Sequence, residues 1–297
     1  MVRVARPRQF SRPRSPLAIG CTVLFLLFWL PLMMCGCGLL VYAIVPPAPT
    51  NIVIMGLDSR GAEGVVARTD SLVVLGVQPR GLNVAALSIP RDIFINVPYY
   101  GSQRINTINV LGETDDSTNG PELLKASLNQ SFGIEVDNYV RLDFAAFEAL
   151  VDAVGGVDLD VPRAIVDYAY PTADGGTIEV RFEPGWQTLN GTQALQYART
   201  RHADDDYQRA NRQQQVISAL GRKLINPFTW PAAANAILSN TETDLTIADL
   251  FMIAPPLLIR AGNYEMLVIN RDYILPGDGY VIPNYNLLSP WLDEHLR

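Results

Sequence analysis

Between Leu17 and Val45 the chain carries no charged side chain, a run of 29 residues. As a straight helix the run would reach roughly 43 Å, against a hydrocarbon core of about 30 Å, so it spans a bilayer with tilt. Pro31 kinks such a helix and Pro46-Pro47 ends it, because proline removes a helical N–H and restricts the residue before it. Arg3, Arg6, Arg8, Arg12 and Arg14 precede the run with no acid among them. That bias keeps the tail in the cytoplasm and exports the chain beyond the run. The competing reading is a cleaved signal peptide, with an overlong apolar region and weak small-residue sites at Tyr42-Ala43 and Pro47-Ala48. A lipoprotein needs a small residue before its modified cysteine, and Cys35 follows Met34. All three readings export the remainder. The expectation is a single-pass membrane protein: residues 1–16 a cytoplasmic tail, 17–45 the span, 46–50 a stiff linker, the rest outside.

The exported part, Asn51 to Arg297, holds 18 of the 23 Lys and Arg and all 30 Asp and Glu, a net charge of −12. Such a field opposes non-specific nucleic-acid binding, so no nucleic acid is expected as a partner. Any anion site has to be a local cluster working against that field. Cys21, Cys35 and Cys37 all lie in the apolar run, which leaves the exported part to be held by its core rather than by disulfides.

Asn51–Gly56, Ser71–Val77, Leu82–Ile89, Tyr139–Phe144 and Val157–Val161 read as short buried strands. Pro121–Phe132, Ala145–Val154, Thr192–Thr200 and Tyr207–Leu224 read as helices, with Gly133 and Gly155-Gly156 as stops and Asp206 as a cap. This alternation predicts a layered α/β domain with a largely buried sheet. Residues 51–225 are expected to carry the chemistry. Residues 226–297 are expected to add a helix or two and a strand at Glu265–Ile269, packed on the same domain.

Three polar clusters stand out. Asp58 closes the first strand and Asp70 opens the second, so two carboxylates can converge on a hard divalent cation. Taken alone, the simpler reading is a turn residue and a cap. Ser88-Ile89-Pro90-Arg91-Asp92 follows an apolar strand, at the strand end where open α/β sheets place ligands. Arg91 there can grip a phosphate in bidentate fashion or simply pair with Asp92. The densest cluster is Tyr197 to Asp206 with Arg199, Arg201 and His202, followed by Arg209, Arg212 and Gln213. It reads either as a focused anion site or as arginines paired with Asp204–Asp206 on a wet surface. His202 and His295 are the only histidines, and no G-x-S-x-G, Walker or G-x-G-x-x-G motif occurs. Triad and nucleotide chemistry are therefore disfavoured.

Taken together, Asn51–Arg60, Arg68-Thr69-Asp70-Ser71, Leu87–Asp92, Arg104-Ile105-Asn106, Phe147–Val161, Leu189–Leu195 and Tyr197–Gln213 resemble the LytR–CpsA–Psr family of cell-envelope proteins. The resemblance implies a mixed sheet flanked by helices. It also implies a phosphotransferase that moves a glycopolymer from a polyprenyl-pyrophosphate carrier to peptidoglycan through a phosphodiester. Carried over by position, Asp58 and Asp70 would hold Mg²⁺ (or Mn²⁺). Arg68, Arg91, Arg104, Arg199, Arg201, Arg209 and Gln213 would bind the pyrophosphate. Asp206 would orient the arginines or assist proton transfer. The acceptor hydroxyl needs only modest activation, so a nearby carboxylate, Asp92 or Asp206, would serve as the base. A polyprenyl-pyrophosphate hydrolase using the same residues, or a non-enzymatic regulatory protein, are the alternatives. The short linker before the first strand is expected to keep the arginine site at the membrane boundary.

Overall fold

The structure, a computed structural model, describes residues 29, 33, 36–38, 40–59, 66–115, 119–172, 175–200, 206–260, 264–275 and 280–297, without the side chains of 206, 207, 210, 227, 234, 238 and 240. The chain divides into two units, Met1–Pro47 and Ala48–Arg297. Most of the Leu17–Val45 run falls outside the described residues; those described between Trp29 and Ile44 are helical. Among the described residues no helix is long and apolar enough to cross a membrane.

In the second unit a six-stranded sheet is assembled from distant parts of the chain. Its strands are β1 (Thr50–Leu57), β2 (Thr69–Gln78), β3 (Asn83–Ile89), β6 (Asn138–Leu142), β11 (Thr241–Thr243) and β12 (Glu265–Val268), in the order β11-β6-β1-β2-β3-β12. Between β3 and β6 lie β4 (Phe94–Val97) and β5 (Gly101–Arg104), an antiparallel hairpin. β1 is antiparallel to β2 and parallel to β6, and β3 is parallel to β12, so the sheet is mixed. Apolar side chains alternate between its two faces, which is why these strands read as nearly continuous apolar runs. Val53, Met55, Leu72, Val74, Leu87 and Ile89 face one core. Ile52 and Val77 face the other side.

The first core is closed by helices α1 (Ile108–Thr114) and α2 (Gly120–Phe132) and by the C-terminal end of the chain, with Leu124, Leu128, Phe132, Leu288 and Leu292 buried in it. Asn119 caps α2 by accepting from the Glu122 amide, and Gly133 ends it in the left-handed region at φ 66°, a conformation that glycine adopts without strain. A second core lies among β7 (Val157–Val161), β8 (Ile165–Pro171), β9 (Thr177–Phe182), β10 (Gly185–Leu189) and three helices: α3 (Phe144–Ala153), α4 (Gly191–Arg199) and α5 (Asp206–Leu224). Phe182 meets Tyr197 there edge to face, centroids 5.2 Å apart.

Some boundaries differ from those expected from the sequence. The strand expected over Tyr139–Phe144 stops at Leu142, because Asp143 accepts the Ala146 amide at 2.8 Å and turns Phe144 into the first residue of α3. α4 starts at Gly191 through a capping box between Asn190 and Gln193. α5 begins on Asp206 itself, so that residue lies within the helix rather than before it. Among the described residues the tail holds three α-helices rather than one or two: α6 (Trp230–Asn240), α7 (Ile247–Ile259) and α8 (Tyr285–His295). It also supplies both edge strands of the central sheet, β11 beside β6 and β12 beside β3.

Candidate functional site

The polar residues gather where β1 ends, β2 begins and β3 hands over to Pro90-Arg91-Asp92. Leu57 pairs with Thr69, and the Asp58 amide donates to the Arg68 carbonyl at 2.9 Å. Leu57 and Thr69 are buried; the register shifts between Gly56 and Leu57, which leaves Asp70 as the extra residue of a bulge, a device that re-aims a side chain out of the regular alternation, so Asp58 and Asp70 flank the Leu57–Thr69 pair. The Arg91 guanidinium donates to Asp70 at 2.8 Å and to Asp92 at 3.4 Å. Burial lowers the Arg91 pKa, but Asp70 and then Asp92 outweigh it, and the net shift is upward.

Arg199, at the last turn of α4, reaches across 141 positions of sequence to Asp58 at 3.4 Å. Its guanidinium lies 3.8 Å from the Phe144 ring centroid and donates to the Tyr170 hydroxyl at 3.2 Å. Stacking on one aromatic and bonding to another fixes the plane of the fork. Arg68 is exposed beside Asp58. Arg104 ends β5 with its guanidinium 5.4 Å from the Phe94 ring centroid. Its neighbour Asn106 donates its amide to the Arg91 carbonyl at 3.3 Å, which ties the Arg104 segment to the Arg91 turn. Arg209 and Gln213 are half-buried on α5 and share a helix face. Arg201, and Arg60 after Asp58, lie outside the described residues, as does the Asp206 side chain.

Two arrangements were not expected from the sequence. Thr200 is fully buried, and its hydroxyl donates at 2.5 Å to Asp167, itself only 1% exposed on β8. Arg212 donates to the carbonyls of Tyr197 at 2.9 Å and Thr200 at 2.5 Å. Asp167 and Arg212 thus clamp the backbone between Arg199 and Arg201. Thr200→Val is expected to cost about 1–3 kcal/mol, the penalty for leaving Asp167 short of a buried bond. A lowered melting temperature for the purified variant would report the lost bond; unchanged thermal stability would rule the clamp out.

The second arrangement centres on Arg141 of β6, 4% exposed. It donates to Asn109 at 3.0 Å, Glu113 at 2.5 Å and Glu242 at 2.5 Å. Asn109 in turn donates to the Ala67 carbonyl at 2.8 Å, directly before Arg68-Thr69-Asp70. In sequence, only an arginine at an otherwise apolar strand centre hints at this network.

A family model matches residues 45–283 of this architecture, that of the LytR_cpsA_psr family. The chain belongs to the LytR–CpsA–Psr family. It is 32% identical over 206 residues to the polyisoprenyl-teichoic acid–peptidoglycan teichoic acid transferase TagU of Oceanobacillus iheyensis, covering 67% of this chain and 60% of that protein. It is 31% identical over 207 residues to the regulatory protein MsrR of Staphylococcus aureus, covering 68% and 58%. The chain therefore spans about 60% of the length of these relatives. Among solved structures it resembles Bacillus subtilis TagV, with 26% identity, a TM-score of 0.68 and coverage of 84% and 97%. It also resembles TagT bound to LIIa-WTA, with 25% identity, a TM-score of 0.64 and coverage of 83% and 89%. The layered α/β fold with a mixed sheet, expected from the sequence, is the fold these proteins share.

One expectation about placement changes. β1 carries the chain from Thr50, next to the linker, to Leu57, next to Asp58. Eight extended residues separate the two by about 23 Å, so a short linker does not by itself hold the arginine site at the chain's entry point.

Proposed function

We propose that this protein transfers a glycopolymer from a polyprenyl-pyrophosphate carrier to peptidoglycan, forming a phosphodiester, from a position on the outer face of the cell membrane. The observation that carries the reading is the pairing of Arg91 with Asp70 and of Arg199 with Asp58 at one strand end. A pyrophosphate diester is anionic throughout the reaction, and phosphoryl transfer needs positioning and charge stabilisation more than covalent help. Arg91 and Arg199 offer planar donor forks suited to phosphate oxygens, and Arg68 adds an exposed cation beside them. The names of TagU and of the TagT complex support this class of donor and acceptor.

The residues suit a hard divalent ion. Asp58 and Asp70 supply carboxylate oxygens on either side of the Leu57–Thr69 pair, and among the described residues no group of three or more His, Cys, Asp or Glu gathers to build a protein-only cage. Mg²⁺ commonly takes one or two carboxylates and completes its shell with phosphate oxygens and water. Bound there, it would neutralise charge on the pyrophosphate. Asp92, half-exposed and bonded to Arg91, is the carboxylate placed to accept the acceptor's hydroxyl proton; Asp206 is the alternative base.

The test is a labelled polyprenyl-pyrophosphate oligosaccharide incubated with the full chain, with and without peptidoglycan, in Mg²⁺, Mn²⁺ or chelator. Transfer of label to peptidoglycan that chelator abolishes is the expected result. Release of free sugar phosphate at the same rate with and without peptidoglycan would replace the transferase by a hydrolase. Absence of either product would leave a binding or regulatory protein.

A further inference from the structure

Helix α7 is the most apolar surface element of the second unit and has no place in the chemistry above. Its sequence, Ile247 to Ile259, contains one charged side chain, Asp249, which is spent on capping Thr246. Ile253 and Pro256 are buried toward the sheet, where Ile253 packs with Ile52 and Val77. The opposite side is open: Ile247 is 70% exposed, Phe251 76% and Ile259 62%, with Leu250 and Met252 each about two-fifths exposed. Ile247 and Phe251 are one helical turn apart, and Ile259 lies two further turns along the same stripe.

The helix has a definite place on the sheet. It follows β11, the edge strand beside β6. It ends where Arg260 donates to the Leu82 carbonyl at 3.0 Å and to the Asn83 side chain at 2.9 Å, at the start of β3. It therefore crosses from β6 to β3, three strand spacings or about 14 Å, over the end of the sheet opposite Asp58 and Asp70. Thr50, the first residue of β1, pairs with Val77 at this same end. β1 thus starts at the same end of the sheet that α7 crosses.

We infer that α7 lies in the lipid surface of the membrane, its Ile247–Phe251–Ile259 stripe below the headgroups and Arg80 and Arg260 at their level. The inference rests on the membrane location proposed above and adds a second contact to it. Charge complementarity favours lipid over a protein partner: in a domain of net charge −12, the C-terminal end of α7 is flanked by Arg260 and by the exposed Arg80. Apolar stripes edged by arginine are the pattern of helices that lie in an anionic interface. At 13 residues α7 reaches about 20 Å and cannot span the core. Docking along α7 would orient the sheet and set the candidate site about 23 Å from the lipid surface along β1. The carrier's pyrophosphate would have to be drawn up to it.

The experiment uses the full chain with Cys21, Cys35 and Cys37 changed to serine. It carries one polarity-sensitive dye, at Phe251→Cys or at the reference Tyr168→Cys on β8. Both chains are reconstituted in vesicles of phosphatidylcholine and phosphatidylglycerol, with quencher-bearing lipids. The dye at 251 is expected to emit at shorter wavelength, with roughly three-fold more quenching by a shallow quencher than at 168, as a depth of 5–10 Å requires. Ile247→Glu together with Ile259→Glu, both at exposed positions, should return it to the aqueous spectrum. An aqueous spectrum at 251 in a chain that resists carbonate extraction would overturn the inference while sparing the anchor. Quenching that vanishes on dilution of protein in lipid would overturn it in favour of contact with a second copy. A chain that carbonate extracts refutes the anchor, and the spectrum at 251 then decides α7 independently.

Discussion

Arg91→Ala is expected to lower kcat for transfer by about 10³-fold while the fold persists. Loss of one preorganised donor on a developing oxyanion typically costs 10²–10³, and loss of a guanidinium in phosphoryl transfer 10³ or more. Arg91 also holds Asp70 at 2.8 Å, so its removal releases one of the two carboxylates proposed to hold the ion. Both side chains are about one-fifth exposed, and water can replace part of the lost contact, so the stability cost stays near 1 kcal/mol. That corresponds to a melting shift of about 2–4 °C for a unit of this size. Arg91→Lys separates charge from geometry: a point charge cannot reproduce the fork, and a loss of about 10²-fold is expected. The wild-type pKa of Arg91 is raised above that of a free guanidinium, so its contribution is complete through the neutral range and is lost only in strongly alkaline solution. No limb of a pH–rate profile between 5 and 9 should belong to it, and the profile of Arg91→Lys should have the same shape. Turnover by Arg91→Ala within ten-fold of wild type would sink the assignment.

The parts legible in the sequence were those specified locally. β1, β2 and β3 announce themselves as short apolar runs, and α2 is stopped by Gly133, whose role follows from backbone chemistry alone. The strand end bearing Asp58, Asp70 and Arg91 was visible because strand and motif coincide there. What escaped was set by contacts distant in sequence. Asp167 looks like any polar residue between Val166 and Tyr168, and only the arrival of Thr200, 33 positions later, makes it a buried partner. Phe144 and Tyr170 become the cradle of Arg199 through folding of three separate segments. The hairpin of β8 and β9 breaks its own alternation with a register shift between Asp167 and Tyr170, which erases the period-two signal. β11 is three residues long and is a strand only because β6 has an open edge beside it.

Arg141→Ala should have the largest effect on stability, a loss of about 3–5 kcal/mol, because removing one partner leaves the largely buried Glu113 carboxylate with only the Gly120 amide to hold it. Burial lowers the Arg141 pKa, but its bonds to Glu242 and Glu113 raise it further, so the cation is firmly held. For the second unit the loss corresponds to a melting temperature lower by about 6–20 °C. The unpaired charge is the main cause, which a double-mutant cycle can separate from lost packing. Arg141→Met should be nearly as damaging as alanine, and Arg141→Met with Glu113→Gln should recover a large part of the loss. Full additivity of the two changes, measured by denaturant unfolding, would mean that Arg141 acts through packing alone. The network also reaches the site. Asn109 bonds both Arg141 and the Ala67 carbonyl, so slack at Arg141 becomes freedom in the segment that aims Asp70 at Arg91. Well below its melting temperature, the double variant should therefore regain stability without regaining all its turnover, since Glu113→Gln restores neutrality but not the arginine's grip on Asn109.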